Sequence, residues 1–317
     1  VTTVVITGAA GFIGAALAAR YRAAGAQVRG IDRAPGPGIV AGDTTDPAGW
    51  AEQLAGADLV VHTAAVVSFV APWELAWRVN VLGTARVVQA AVAAGVPRLV
   101  HLSSVAVYGF DFPREVDETY PPRVLGLPYQ DTKVASEAVV LAAHARGDID
   151  ATVVRPGDVY GPRSLPWVVK PLRLLRAGRA VLPGGGRGLF APTYIDNLVD
   201  GIVRASGDPG RGEVFTLADG FSVTTGEYFG RLAAIGGGRV RTAPAPAARL
   251  LARGLGSVER AIGRDSELSA ATIDYLLRTG TYSIAKARRV LGHQPHVLLD
   301  EGMARTAQWL RAAGPPG

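Results

Sequence analysis

Short apolar runs alternate with longer segments of helical period through the first half of the chain. Thr3-Val4-Val5-Ile6-Thr7 reads as a strand, and a helix follows from Gly11 toward Ala24. Further strands are expected at 27–31, 58–62, 98–103 and 151–155, with helices over 72–94 and 128–146. These strands are continuous apolar runs, as strands are when helices cover both faces of a parallel sheet. The repeated strand–helix order predicts an α/β chain built on a Rossmann-like, doubly wound parallel sheet.

After about Gly161 the rhythm breaks. Pro162, Pro166, Pro171, Pro183 and Gly184-Gly185-Gly186 interrupt it with loops and short helices. A helix with a strong apolar face returns at 194–205, and 242–246 reads as a linker or exposed turn. A last helix over 299–312 opens with Asp300 and Glu301, which suit a helix N-terminus. The expected division is a dinucleotide-binding domain over 1–160 and a smaller, mainly substrate-binding C-terminal lobe over 161–317. Residues 190–206 or so are expected to pack back on the first domain.

Composition narrows the choices. Of 317 residues 48% are hydrophobic, enough for a full core. There are no cysteines, which excludes disulfides, thiolate zinc sites and a cysteine nucleophile. The cytoplasm is the expected location, since residues 1–7 run straight into a strand without a charged leader. No run approaches the ~20 apolar residues of a membrane span, and no membrane partner is expected. The net charge is +6, and residues 159–195 hold six basic residues (Arg163, Lys170, Arg173, Arg176, Arg179, Arg187) and no acid. That run reads either as a solvated face or as a rim for an anionic substrate group. It lacks the interleaved aromatics of a nucleic-acid binder, so no nucleic-acid partner is expected.

Candidate chemistry begins at Thr7-Gly8-Ala9-Ala10-Gly11-Phe12-Ile13-Gly14, a G-x-x-G-x-x-G between strand and helix. Glycines there let the backbone approach a pyrophosphate, and the helix N-terminus offers free N–H groups. Gly8, Gly11, Phe12, Ile13 and Gly14 are therefore candidate dinucleotide ligands. Asp32 closes the second strand, where a carboxylate accepts from adenosine ribose hydroxyls and repels a 2′-phosphate. This favours NAD, while Arg33 beside it keeps NADP open. In Gly42-Asp43-Thr44-Thr45-Asp46, Asp43 and Thr44 are candidates for the adenine, or the segment caps the turn before Pro47. Ala64 and Ala65 follow a strand, where small residues let a cofactor lie close. Asn80 falls within a helix, either near the cofactor or as a structural amide.

Tyr129 and Lys133 lie one turn apart on one helix face. A phenol is a poor acid or base at neutral pH until a neighbouring ammonium lowers its pKa. Ser104, at the end of the preceding strand, is placed to hold a substrate oxygen at the carboxyl end of the sheet. In order and spacing, these motifs resemble the extended short-chain dehydrogenase/reductase (NAD-dependent epimerase/dehydratase) family. The match adds L-S-S-x-x-V-Y-G, P-Y-x-x-x-K, Arg155-Pro156-Gly157-Asp158-Val159-Tyr160-Gly161-Pro162, Tyr194-Ile195-Asp196-Asn197 and Lys286-Ala287. The resemblance implies catalysis by Ser104, Tyr129 and Lys133. Tyr129 would move a proton and Lys133 would bind the nicotinamide ribose, with Pro156 beside the cofactor. It also implies a homodimer joined by a four-helix bundle of the 72–94 and 128–146 helices.

Departures from the family point to a branch. Val105-Ala106 stands where sugar-nucleotide dehydratases that resemble this chain carry an Asp-Glu pair. Asp158 stands where many epimerases carry an Asn facing the substrate diphosphate, and its charge would oppose such a group. Arg155-Pro156-Gly157, Leu268-Ser269, Tyr282-Ser283 and Lys286-Ala287 look more like the 3β-hydroxysteroid dehydrogenase and dihydroflavonol reductase-like branch. That branch acts on carbonyls and secondary alcohols of fairly apolar small molecules. Trp73, Trp77, Phe110, Phe112, Trp167 and Phe190 either line such a pocket or pack in the core. The expected activity is hydride transfer between nicotinamide and a secondary alcohol or ketone. An NAD-dependent epimerase and a non-catalytic dinucleotide sensor are the alternatives. There is no G-x-S-x-G elbow, and Gly184-Gly185-Gly186-Arg187-Gly188 reads as a hinge or lid loop. His293 and His296, with proline between them, read as surface residues, and no metal site is expected.

Overall fold

Strands β1 (Thr3–Thr7), β2 (Gln27–Asp32), β3 (Ile39–Ala41), β4 (Leu59–His62), β5 (Arg98–Leu102) and β6 (Asp150–Pro156) occupy the first half. The computed structural model describes residues 1–263 and 266–313. It continues with β7 (Asp158–Tyr160), β8 (Val181–Pro183), β9 (Leu189–Phe190), β10 (Pro192–Tyr194), β11 (Val214–Leu217), β12 (Val223–Thr224) and β13 (Arg241–Ala243). The helices are α1 (Phe12–Ala23), α2 (Trp73–Trp77), α3 (Gly83–Ala93), α4 (Pro128–Ala145), α5 (Lys170–Arg176) and α6 (Ile195–Ala205). They continue as α7 (Thr225–Gly236), α8 (Ala245–Ala261), α9 (Ala270–Leu277), α10 (Ala285–Leu291) and α11 (Leu299–Ala313).

Seven strands form one sheet in the order β11-β6-β5-β4-β1-β2-β3, every pair parallel. Side chains alternate between its faces. Val4, Ile6, Val61 and Val100 pack with Leu17 of α1 and with Leu198 and Ile202 of α6. Val5, Val60, Leu99 and Val153 pack with Val87 and Val88 of α3 and Val140 of α4. Both faces are therefore dry, which is why the strands lack a polar alternation. The strand order reverses between β1 and β4, and in such sheets ligands bind beyond the strand C-termini at that crevice. The later half of the chain closes the sheet, supplying β11 beside β6 and laying α6 against α1.

Three local expectations are corrected. The 72–94 helix is α2 and α3 joined through a π turn at Arg78–Leu82. Asn80 in that wider turn accepts from Val66 N (2.7 Å) and donates to Val66 O (3.0 Å) and Thr132 Oγ1 (2.9 Å). The 242–246 segment is not a linker, since Arg241–Ala243 pairs with β8 and α8 begins at Ala245. Pro246 sits in the first helical turn, where a missing N–H breaks no helical bond. His293 is only 1% exposed and packs against Gly201, whose lack of a side chain makes the room. Burial pulls its pKa down to about 4.

Candidate active site

The glycine loop lies at the β1/β4 crevice. Gly8 has φ +70°, and a Cβ on it would sit 2.8 Å from Ala64 N. A Cβ on Gly14 would lie 2.1 Å from Gly8 O, so helix and loop meet only because both are glycine. Gly11 caps α1 without any side-chain bond, and the first turn has no acid. The N–H groups of Phe12, Ile13 and Gly14 therefore point from the helix end without intrahelical partners, as a pyrophosphate site requires. Asp32 sits beside this loop. Its Oδ2 accepts from Ala10 N (3.0 Å) and its Oδ1 from Ala34 N (3.1 Å), and both oxygens keep a lone pair for a ribose. Arg33 is exposed.

Asp43 Oδ1 accepts from Thr45 N (2.8 Å) and Thr45 Oγ1 (2.7 Å), which lowers its pKa. The cap before Pro47 is made by Asp46, which accepts from Ala48 N. Thr44 is buried against Gly83, and Ala64 and Ala65 are half-buried beside the loop. These residues fit a dinucleotide.

Ser104 follows β5 by two residues and caps the turn Val105–Tyr108, its Oγ accepting from Ala106 N at 3.1 Å. Pro128 opens α4 at a position that needs no N–H, and the helix presents Tyr129 and Lys133 one turn apart. Burial raises the pKa of the Tyr129 phenol, and a hydrogen bond with the Ser104 side chain acts against that rise. Lys133 Nζ donates to Leu102 O at 2.7 Å instead of reaching the phenol. Burial pulls Lys133 down to about 8, while Glu137 one turn on opposes the fall. Glu137 in turn grips Arg155 of β6, and Pro156 ends that strand beside the site. Beneath them His62 and His101 stack at 5.3 Å. His62 hydrogen bonds Thr7 Oγ1 (2.6 Å) and Thr84 Oγ1 (3.0 Å), and burial holds its pKa near 3.

An aromatic wall faces Tyr129. The Phe69 ring meets Tyr129 edge-on at 5.8 Å and lies 5.6 Å from both Phe110 and Tyr275. Tyr275 also stacks with Trp167, which packs on Phe190. Of the aromatic candidates, Phe110 and Trp167 thus join this cluster, while Phe190 is fully buried in the main core, stacked on Tyr228 at 3.8 Å. Phe112 instead packs in the core with Tyr108 and Tyr282. Trp73 and Trp77 stand outward on α2, 45% exposed.

Phe69 and Tyr275 were not legible as site residues. Phe69 sits in an irregular loop after β4, and Tyr275 lies on an apolar helix where an aromatic reads as core. Asp158 is corrected: it is fully buried and ion-paired with Arg278. It also accepts from Tyr275 Oη (2.6 Å) and Ala191 N (2.8 Å). Its charge is matched within the protein, so it presents no free repulsion to a diphosphate. Among the described residues, no three His, Cys, Asp or Glu side chains gather as metal ligands do.

The chain as a whole is similar to known proteins. Residues 4–218 match the model of the NAD-dependent epimerase/dehydratase family. The chain belongs to that family. Among its relatives is a 4-hydroxy-2-methyl-3-oxo-4-farnesyl-3,4-dihydroquinoline-1-oxide ketoreductase from Stigmatella aurantiaca. It is 32% identical over 98% of this chain and 96% of its own length. A 3-beta-hydroxysteroid dehydrogenase from Mycolicibacterium neoaurum is 29% identical over 95% of this chain and 89% of its own length. The solved structure of MoeE5 in complex with UDP-glucuronic acid and NAD superposes with a TM-score of 0.80. It is 29% identical and covers 98% of this chain and 99% of the other. The expected fold and enzyme class, an extended short-chain dehydrogenase-type oxidoreductase on a Rossmann-like sheet, therefore hold for this member of the epimerase/dehydratase family.

Proposed function

We propose that the protein uses NAD to interconvert a secondary alcohol and a ketone on a fairly apolar substrate. The observation that carries this reading is the aromatic wall of Phe69, Phe110, Tyr275 and Trp167 over Tyr129. Such rings offer apolar faces to a substrate and few groups for a diphosphate. Support also comes from the similar ketoreductase and hydroxysteroid dehydrogenase.

The groups that would hold NAD are Gly8, Gly11, Phe12, Ile13 and Gly14 for the pyrophosphate, and Asp32 for the adenosine ribose. Asp43 and Thr44 would flank the adenine, and Ala64, Ala65, Asn80 and Pro156 would border the nicotinamide half. When bound, NAD supplies the hydride acceptor or donor. The protein's part is proton management. Tyr129 gives its phenolic proton to the carbonyl oxygen in reduction and takes it back in oxidation. Ser104, whose side chain acts on the Tyr129 phenol, holds that oxygen in line. Lys133, fixed by Leu102 O, would hold its ammonium toward the nicotinamide ribose.

Residues 1–160 would carry most cofactor contacts and 161–317 most substrate contacts. A homodimer through the 72–94 and 128–146 helices has the exposed Trp73, Trp77 and Leu82 in its favour. The cysteine-free composition suits the cytoplasm. An NAD-dependent epimerase acting on a nucleotide sugar is the second reading, favoured by the likeness to MoeE5, whose solved structure holds UDP-glucuronic acid and NAD.

The test is turnover of purified protein on ring-bearing ketones, alkyl ketones and UDP-sugars, followed by reduced-cofactor absorbance. Tyr129→Phe should lower kcat on a ketone on the order of 10²–10⁴-fold while NAD still binds. Conversion of a UDP-sugar without net cofactor change, and none of the ketones, would move the assignment to the epimerase.

A further inference from the structure

Behind the aromatic wall lies a buried charge pair that the proton chemistry at Tyr129 does not use. Asp158, at the start of β7, is fully buried, and Arg278, just past the end of α9, is 3% exposed. Arg278 Nη2 donates to Asp158 Oδ2, which also accepts from Ala191 N at 2.8 Å. The other carboxylate oxygen, Oδ1, accepts from Tyr275 Oη at 2.6 Å. Arg278 reaches the same ring, its guanidinium carbon 3.9 Å from the Tyr275 ring centroid. Its backbone is held as well, with Arg278 O accepting from Leu189 N at 2.7 Å. Tyr275 and Arg278 are 117 and 120 residues from Asp158 in the chain, so these contacts tie α9 to the carboxyl end of β6.

Tyr275 is also the hub of the wall. Its ring stands perpendicular to Phe110 (5.6 Å, 89°), tilted to Phe69 (5.6 Å, 47°) and nearly parallel to Trp167 (5.9 Å, 26°). Phe69 in turn meets Tyr129 edge-on, so the place of Tyr275 is passed toward the reacting phenol through one neighbour. A tyrosine held by apolar packing alone can turn about its side-chain torsions. Here the tip of the ring is pinned by a carboxylate and the ring itself by a cation. A hydrogen bond to a charged acceptor in a dry interior is among the stronger ones, and a guanidinium over the ring adds to it. Replacing a buried ion pair by apolar residues is often neutral or stabilising, so added stability is a poor account of Asp158 and Arg278. What the pair supplies is a fixed place for Tyr275.

We propose that Tyr275 is a specificity-determining residue, held in place by Asp158 and Arg278 as positioning residues, and that the wall it anchors selects rigid, flat, ring-bearing ketones over open-chain ones. This rests on the alcohol–ketone chemistry proposed for Tyr129. A fused ring cannot bend to follow a displaced wall, and it gains contact by lying against ring faces already in place. An open chain rotates about its single bonds and meets a shifted wall almost as well, at an ordering cost it carries in any pocket. Fixing the wall therefore favours the ring, and loosening it costs the ring more. Asp158 does not reach the substrate itself, since Tyr275, Arg278 and Ala191 occupy its oxygens, and it acts through the Tyr275 ring.

The test compares kcat and KM for β-tetralone, a flat fused-ring ketone, and for methyl octyl ketone, an open-chain ketone of the same carbon count. Wild-type protein should favour β-tetralone in kcat/KM. Tyr275→Phe keeps the ring and leaves the Asp158–Arg278 pair whole, removing only the bond to Oδ1. The ratio of kcat/KM for the ring over that for the chain should fall about five- to tenfold, with most of the change in the KM for β-tetralone. The double variant Asp158→Leu, Arg278→Met removes the pair without leaving a lone buried charge. It should give the same fall, with circular dichroism and NAD affinity unchanged, and adding Tyr275→Phe to it should lower the ratio no further. An unchanged ratio in Tyr275→Phe overturns this inference while leaving the alcohol–ketone reading in place, and so does a wild-type preference for methyl octyl ketone. Wild-type protein that turns over neither ketone but converts a UDP-sugar overturns that reading and this inference with it.

Discussion

Glu137 and Arg155 form a forked ion pair under the site, with Nε to Oε1 at 2.9 Å and Nη2 to Oε2 at 2.7 Å. Both side chains are 4% exposed. Arg155 Nη1 also donates to Tyr108 Oη at 3.0 Å, so all of its bonding is internal. Glu137→Ala leaves that guanidinium buried with no counter-charge, which costs about 3–5 kcal/mol. A native domain holds only about 5–15 kcal/mol, so the loss is a large share of the total. The same substitution acts on the chemistry. Glu137 is the group that holds up the pKa of Lys133, which burial already brings to about 8. Without it Lys133 loses its proton at lower pH, and the alkaline fall in kcat should move toward neutrality. Urea denaturation followed by circular dichroism measures the first effect, and a pH profile of kcat measures the second. The double variant Glu137→Leu, Arg155→Met removes both charges and should recover most of the stability but not the pH limb. A loss below about 1 kcal/mol for Glu137→Ala, the range of an exposed pair, would refute the reasoning, as would an unmoved pH limb.

Gly14→Ala puts a methyl 2.1 Å from Gly8 O, so the loop must shift and NAD affinity should fall at least about tenfold. Fluorescence titration reads this directly, and an unchanged affinity would mean the loop is not the cofactor cradle. His62 titrates near pH 3 in the fold and near ~6.5 in an unfolded chain. Between those values the unfolded chain binds more protons, so this histidine makes stability fall as pH drops from about 6.5 toward 3. Asp219, raised to about 7 by burial, contributes the opposite slope, so the contribution is read as wild type minus His62→Gln in urea midpoints. A difference that stays constant with pH would contradict the buried neutral imidazole.

Much of the fold was legible because its strands are apolar on both faces and its turns carry glycine. The glycine loop, Asp32, Ser104, Tyr129 and Lys133 were legible for a related reason, being local motifs beside strands or on one helix turn. What escaped depends on distance in the chain. Asp158 reads as a free charge until Arg278 and Tyr275 arrive from a helix more than a hundred residues away. His293 reads as exposed until Gly201 is seen to leave it room. The π turn at Asn80 was hidden because its apolar period is nearly that of an α-helix, and only the wider backbone bonding of the turn shows the displaced register.

The position of β11 at the edge of the sheet has a consequence for synthesis. By residue 156 the ribosome has delivered six of the seven sheet strands, but the outer edge of β6 has no partner until residues 157–213 have emerged. At about 5–20 residues per second, the nascent chain carries an apolar strand with open N–H and C=O groups for several seconds. A fragment ended near residue 160 would keep that edge open for good, inviting pairing with its neighbours. The boundary near residue 160 is therefore not a place where the polypeptide can be cut.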